Sequence, residues 1–366
     1  MRASVANDGT QGNDVSWFPS LSHDGRYVAF ESSASNLVPG DSNNVGDVFV
    51  RDNVAKTIVR ASVTSSGQQL SRNSGTAKID ESGRYVAFIS DSWNGPFPFP
   101  RGVYVHDMQS GVTEPIFPSD AFDLDLSGSG RYVALVFAGK VQVYDRDTGT
   151  ADASAGAGAA PTISDDGRYV TFIRPRPTGT DAATDVFVRD RVAGITTRVP
   201  YPAAFTDPSA ISASDPQISG NGRYVAYAER KHLSAFTFRY LIYVYDRQVG
   251  TLERVDVRSD GTPSNECCPA VHAISDDGRY VMFRSADLVA GDNGNVHEYV
   301  RDRVAQTTYL VDRNANEEPA NDGWSYASDI AGDGTRVAMS LQATNMVPND
   351  TNGVVDVFVR AFPGAP

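Results

Sequence analysis

Ser22-His23-Asp24-Gly25-Arg26-Tyr27-Val28-Ala29-Phe30 is not a unique stretch of this chain. Its core, Gly-Arg-Tyr-Val, begins at Gly25, Gly83, Gly130, Gly167, Gly222 and Gly278, and a weaker Gly-Thr-Arg-Val copy begins at Gly334. Successive copies lie 58, 47, 37, 55, 56 and 56 residues apart. Such periods mark units that cannot bury their apolar faces alone and must stack on one another. Each copy reads as four strands. Pro19–Ser22 forms a short first strand, and Asp24-Gly25 is a tight turn in which glycine supplies the positive φ. Arg26–Phe30 is rich in strand formers. A long loop, a third strand at Asp47–Arg51 and a fourth at Thr57–Val63 complete the unit. The third strand returns around Val103, Val141, Val186, Ile242, Glu298 and Val357. The pattern predicts an all-β protein, a seven-bladed β-propeller of four-stranded antiparallel blades.

The ends of the chain predict how the ring closes. Arg2-Ala-Ser-Val5 repeats Arg60-Ala-Ser-Val63, a fourth strand, and the last copy stops after its third strand at Arg360. Residues 2–6 are therefore expected to complete the last blade as a velcro strand and to cover its open edge. Length alone would divide 366 residues into two or three domains. The repeats instead assign residues 1–366 to one propeller domain.

The motif Ser22–Phe30, followed by Asn36–Asp41 (NLVPGD) and Asp47–Asp52 (DVFVRD), resembles the bacterial PD40 repeats of TolB-like, WD40-like propellers. The resemblance covers essentially the whole chain and implies the fold. It implies little about function, because propellers of this kind serve as scaffolds, lectins, lyases and hydrolases alike. The additional N-terminal α/β domain of TolB itself has no counterpart here.

A formal charge of −13, from 45 acidic and 32 basic residues, disfavours nucleic acid and anionic membranes as partners. No apolar run approaches a membrane span. Met1 is followed by Arg-Ala-Ser-Val without an apolar segment, so the chain is expected to be cytoplasmic or a mature domain with a new start. A secreted or periplasmic monomer is the favoured expectation. The two cysteines, Cys267 and Cys268, are adjacent, so no disulfide framework holds the fold. They form either a strained vicinal disulfide beside a ligand site or two free thiols.

Function is expected where the blades differ. The loops that enter the first strand and join the second to the third share one face, and the invariant turns share the other. Short loops in blades three and four predict a groove on the loop face. Its aromatic residues, Trp17, Phe18, Trp93, Phe97, Phe99, Phe236, Phe238, Trp324 and Tyr326, suit stacking on sugars or docking of a protein. Each could equally cap the core between blades. Arg174, Arg176, Arg230, Lys231 and His232 occur in single blades and suit an anionic ligand such as a uronic acid. The recurrent arginines of Gly-Arg-Tyr and the Arg-Asp pairs read as structural ion pairs.

Cation sites are the other expectation. Asp41-x-Asn43-x-x-x-Asp47 returns as Asp350-x-Asn352-x-x-x-Asp356, with Asp181, Asp185, Asp292 and Asn295 in related loops. Such oxygens suit Ca²⁺, or they cap loop amides as Asx turns. In blade six, His272 and His297, which stands at the position of Asp47, suit acid–base catalysis or a transition metal. The residues thus point to a propeller that binds a glycan or protein ligand, with a polysaccharide lyase or glycoside hydrolase and a cytoplasmic scaffold as the alternatives.

Overall fold

Among the described residues, twenty-seven strands arrange as seven sheets, each a meander of consecutive antiparallel strands. Blade one is β1 (Ser16–Leu21), β2 (Tyr27–Ser32), β3 (Asp47–Asp52) and β4 (Thr57–Arg60). Blade two is β5 (Ser74–Ile79), β6 (Tyr85–Ser90), β7 (Gly102–Asp107) and β8 (Thr113–Pro118). Blade three is β9 (Leu124–Leu126), β10 (Tyr132–Phe137), β11 (Lys140–Asp145) and β12 (Thr150–Ala157). Blade four is β13 (Ala159–Ile163), β14 (Tyr169–Pro175), β15 (Thr184–Asp190) and β16 (Ile195–Arg198). Blade five is β17 (Ile211–Ile218), β18 (Tyr224–Ser234), β19 (Thr237–Asp246) and β20 (Thr251–Arg254). Blade six is β21 (Ala270–Ile274), β22 (Tyr280–Ser285), β23 (His297–Asp302) and β24 (Thr307–Leu310). Blade seven is β25 (Ser325–Ile330), β26 (Val337–Leu341) and β27 (Asp356–Arg360). The computed structural model describes all residues except 92–100, 119–120, 177–182, 203–210, 235–236, 265–269, 292–294, 323–324 and 366, and it leaves aside the side chains at 118, 211, 232–234, 237–239 and 326.

The N-terminal segment meets β27 at the open edge of blade seven, as its sequence predicts, through the backbone of Met1–Ala3, although residues 2–6 form no continuous strand. Arg2 bridges Phe358, Ala3 N–H donates to Val357 O at 2.7 Å, and Val359 N–H donates to Met1 O at 2.8 Å. Arg2 reaches Asp350 at 2.7 Å and Asp356 at 3.4 Å, and Ser4 Oγ donates to Asp356 at 2.6 Å. Blade one repeats this arrangement, with Arg60 on Asp41 at 3.0 Å and on Asp47 at 3.3 Å, and Ser62 Oγ on Asp47 at 2.6 Å.

The core lies between blades, which explains why Tyr-Val-Ala-Phe is a continuous apolar run and does not alternate with polar residues. Val28 and Phe30 pack with Val357 and Val359 of blade seven, whereas Ala29 faces the opposite way, toward Val86 and Phe88 of blade two. Both faces of a central strand are thus covered, and neither side-chain parity can be polar. Seven such clusters fill the seven junctions.

The repeated Gly-Arg-Tyr also joins blade to blade. Each turn glycine rests on the tyrosine of the preceding blade: a Cβ on Gly83 would stand 2.1 Å from Tyr27 Cδ2, and one on Gly167 would stand 2.0 Å from Tyr132 Cδ2. In blade seven Arg336 takes the tyrosine's place, and Gly25 packs on its alkyl stem. The arginines pair within their own blades, Arg26 with Asp52 at 2.8 Å, Arg131 with Asp145 at 2.7 Å and Arg168 with Asp190 at 2.8 Å. These arginines hold the Asp52, Asp145 and Asp190 carboxyls down at about 2. The expectation of structural pairing is met for the Gly-Arg-Tyr arginines, whereas in the Arg-Asp pairs only the aspartate takes part: Arg51 donates to Val5 O, and Arg301 to Thr308 and Gln306.

Candidate functional site: the central channel

The innermost strand of every blade lines the channel, and strand register identifies which residues share a level. Ser20, Lys78, Asp125, Thr162, Gln217, Ala273 and Asp329 all pair with the same position of their second strands, so they form one ring. Part of that ring stitches neighbouring blades. Asp329 Oδ2 accepts from Leu21 N–H at 2.7 Å, and Asp125 Oδ2 accepts from Ile163 N–H at 2.9 Å. Lys78 stands among these acids. Burial opposes its charge, but Asp125, Asp329 and Asp123 hold its ammonium above the usual lysine value.

Toward the loop face the channel widens into a cavity of about 580 Å³, bordered by Phe18, Glu31, Lys78, Phe122, Asp123, Asp215, His272 and Arg284. Inner-strand bulges shape this mouth. The register slips between Trp17 and Ser20, Gly75 and Lys78, Ala159 and Thr162, and Ser214 and Gln217. Within these bulges Phe18, Thr76, Ala160 and Asp215 adopt positive φ values of 50–52°. Non-glycine residues pay for that conformation, and bulges re-aim side chains beside functional sites. A further register slip falls at His272. Burial raises the Glu31 carboxyl against hydrogen bonds from Thr76 N–H and Trp17 Nε1, the latter at 3.3 Å. Burial likewise pushes Asp123 up to about 6, with Lys78 opposing.

The turn-face end is encircled by a second ring, composed of His23, Glu81, Gly128, Asp165, Gly220, Asp276 and Gly332. Backbone bonds connect it blade to blade, such as His23 N–H to Glu81 O at 3.0 Å and Asp276 N–H to Gly332 O at 2.9 Å. The glycines make room for the carboxylates: a Cβ on Gly220 would meet Asp165 Oδ2 at 2.0 Å, and one on Gly332 would meet Asp276 Oδ2 at 2.1 Å. His23 Nδ1 lies 2.7 Å from Asp276 Oδ2. Burial, together with neighbouring carboxylates, raises both Asp165 and Asp276. Ligand atoms of His23, Glu81 and Asp276 lie within 4.8 Å of one another, a donor set that can hold a metal ion.

The residues singled out from sequence are scattered by this geometry. Phe18 reaches the mouth and is 48% exposed, while Trp17 is half-buried behind it. His272 also lines the mouth. His297 does not join it: the ring is fully buried, with Nδ1 2.7 Å from Asp312 Oδ2. It occupies the place of Asp47, and Asp312 occupies that of Ser62, so donor and acceptor have exchanged positions at one conserved structural bond. His297 thus keeps the Asp47 position that the sequence assigns to it, and that position lies apart from the mouth that His272 lines.

The loop carboxylates expected to bind calcium are ion-paired instead, Asp41 and Asp47 with Arg60, Asp350 and Asp356 with Arg2. Asn43 Nδ2 donates to Leu70 O at 2.8 Å, and Asn352 Nδ2 to Asp356 Oδ2 at 2.9 Å. Arg174 is tied to Ala155 O at 2.8 Å and Ala157 O at 3.0 Å, and Arg176 to Asp185 at 2.8 Å. Arg230 and Lys231 run along β18 opposite Ser212 and Ile211. Trp93, Phe97, Phe99, Asp181, Phe236, Cys267, Cys268, Asp292 and Trp324 lie outside the described residues, as do the side chains of His232, Phe238 and Tyr326. The expected groove rests partly on the same segments.

Sequence reading missed Glu31, Lys78, Phe122, Asp123, Asp215, Arg284 and the turn-face ring. A signal was present. Superposing the seven copies shows that the residue after Ser22 and its counterparts is the variable one, and the channel collects such positions.

Fold and site together define a seven-bladed β-propeller with a polar central channel. No protein-family model and no curated protein matches the chain. Solved structures do. An oligogalacturonate lyase in complex with manganese is similar over 97% of this chain and 92% of its own, with 11% identity and a TM-score of 0.65. The β-propeller domain of the Trilobed protease from Pyrococcus furiosus is similar over 96% of both chains, with 11% identity and a TM-score of 0.59. At such identities the likeness shows the fold, a β-propeller.

Proposed function

We propose that this protein binds a glycan at the loop-face mouth of its channel. One observation carries the reading. Among the described residues, the aromatic side chains standing out as exposed are Phe18 at 48% and Phe122 at 55%, and both border the same cavity. Exposed rings are costly unless they meet a partner, and a ring face beside carboxylates, an amide and a guanidinium suits a sugar's C–H face and hydroxyls. Lys78 and Arg284 are offset by Glu31, Asp123 and Asp215, which favours a neutral sugar over a uronate. We place the protein outside the cytoplasm as a monomer, where glycans are met. For a cation the turn-face ring is favoured over the loops, whose carboxylates already hold arginines.

Glycan-array binding tests the reading. Retention of neutral glycans that falls about tenfold in Phe18→Ala and Phe122→Ala supports it, and unchanged retention in both overturns it. The second reading is a lyase or hydrolase, favoured by His272 in the mouth and by the lyase among the structural neighbours. A rise in ultraviolet absorbance on a uronate polymer, lost in His272→Ala, would support that instead.

A further inference from the structure

In six blades the residue that follows the Asp47 position is a buried branched aliphatic: Val48, Val103, Val141, Val186, Ile242 and Val357. Blade six places Glu298 there, 0% exposed. Register confirms the equivalence, since Val48 pairs with Glu31, Val103 with Ile89 and Glu298 with Arg284. The fold does not require a charge at this position, and burying one is expensive unless it is matched. Among the described residues, neither carboxylate oxygen of Glu298 makes a hydrogen bond, nor does His272 Nδ1; the two groups are ionic neighbours, with Nδ1 3.2 Å from Oε2. His272 sits in the inner-strand bulge and lines the mouth with its side chain 11% exposed. Its Nδ1 is shut away from solvent, so Nε2 is the ring nitrogen left to the cavity.

We propose that Glu298 is a positioning residue: its buried carboxylate, beside Nδ1, draws the proton of the His272 ring to that nitrogen and leaves the Nε2 lone pair for a ligand hydroxyl in the mouth. A neutral imidazole carries one N–H, and the partner of one nitrogen fixes the role of the other. The cost of a buried carboxylate is thereby tied to the ligand cavity and not to the propeller. This assignment rests on the mouth being the ligand site, but its central claim is readable without a ligand.

Imidazole nitrogen NMR on the full chain, with its five histidines assigned by substitution, reads the tautomer. The expected result is an Nδ1–H tautomer at His272 in the free wild type. Glu298→Val installs the residue type of the sister blades and should shift His272 toward Nε2–H while the chain stays folded. Glu298→Gln, which keeps the shape and removes the charge, should shift it as well. An Nε2–H tautomer in the wild type, or one that neither variant changes, overturns the proposal. With a neutral oligosaccharide retained on the array as the probe, Glu298→Val and His272→Ala should each weaken binding about tenfold, and the double variant no further. Failure of all glycan binding would count against the sugar site while leaving the tautomer result intact.

Discussion

Arg2 and Asp350 form a buried ion pair at 2.7 Å, so one of the first residues of the chain is held by one of the last. Their side chains are 5% and 4% exposed, and Asp356 shares the same guanidinium. Removing one partner of such a pair strands a buried charge, which costs about 3–5 kcal/mol. Arg2→Ala should therefore lower stability by about that amount, and deletion of residues 1–6 by more, because the edge of blade seven is uncovered as well. Arg60→Ala makes the same cut within blade one and should cost a similar amount. Urea unfolding would measure all three, and an unaltered midpoint in the deletion would refute closure by the N-terminal segment.

The turn-face ring makes stability depend on pH. Asp165 and Asp276 have raised folded values, so the folded state binds their protons more tightly than the unfolded chain does. Their contribution is full in acid and is lost as pH rises above about 4. His23, also raised despite its burial because Asp276 bonds it, acts in the same sense above its ordinary 6.5. The arginine-bound Asp52, Asp145 and Asp190 act oppositely. Their contribution is present above 3.8 and lost as pH falls toward about 2. Thermal midpoints should thus fall from about pH 5 to about pH 9. Asp165→Asn should flatten that slope, and an unchanged slope would place its origin elsewhere.

Divalent cations should act on the same ring. An ion among His23, Glu81 and Asp276 replaces protons and relieves repulsion between carboxylates, and its ligands must be deprotonated. Mn²⁺ or Ca²⁺ added to chelator-treated protein should raise the thermal midpoint more at about pH 8 than at about pH 5. Asp276→Asn should abolish the effect. Indifference of the midpoint to both ions at both pH values would exclude the ring as a metal site.

Turn glycines should divide into two kinds. At Gly167, φ is +70° and an added Cβ would lie 2.0 Å from Tyr132, whereas at Gly111, φ is +74° with open space around it. Gly111→Ala should cost only the backbone term of about 1 kcal/mol. Gly167→Ala should add an overpacking cost of about 1–3 kcal/mol. Equal losses in chemical denaturation would show that the tyrosine contact carries no weight.

The sequence alone determined the propeller, its seven blades and the closure of blade seven by the N-terminal segment, because these follow from local patterns that recur. Gly25, Tyr27 and Arg26 each do the same work in blade after blade, and repetition made that work visible. Part of the site was legible too, in Phe18 and His272. Tertiary structure decided the rest. Lys78, Asp123, Asp215 and Arg284 come from different blades and meet only when the ring closes, so no spacing along the chain could group them. The same closure gave Asp350 its arginine partner, Arg2, while the packing of strands within single blades set Arg60 on Asp41 and His297 on Asp312. A carboxylate's role depends on what lies within a few ångströms of it, and in a propeller most of those neighbours are distant in sequence.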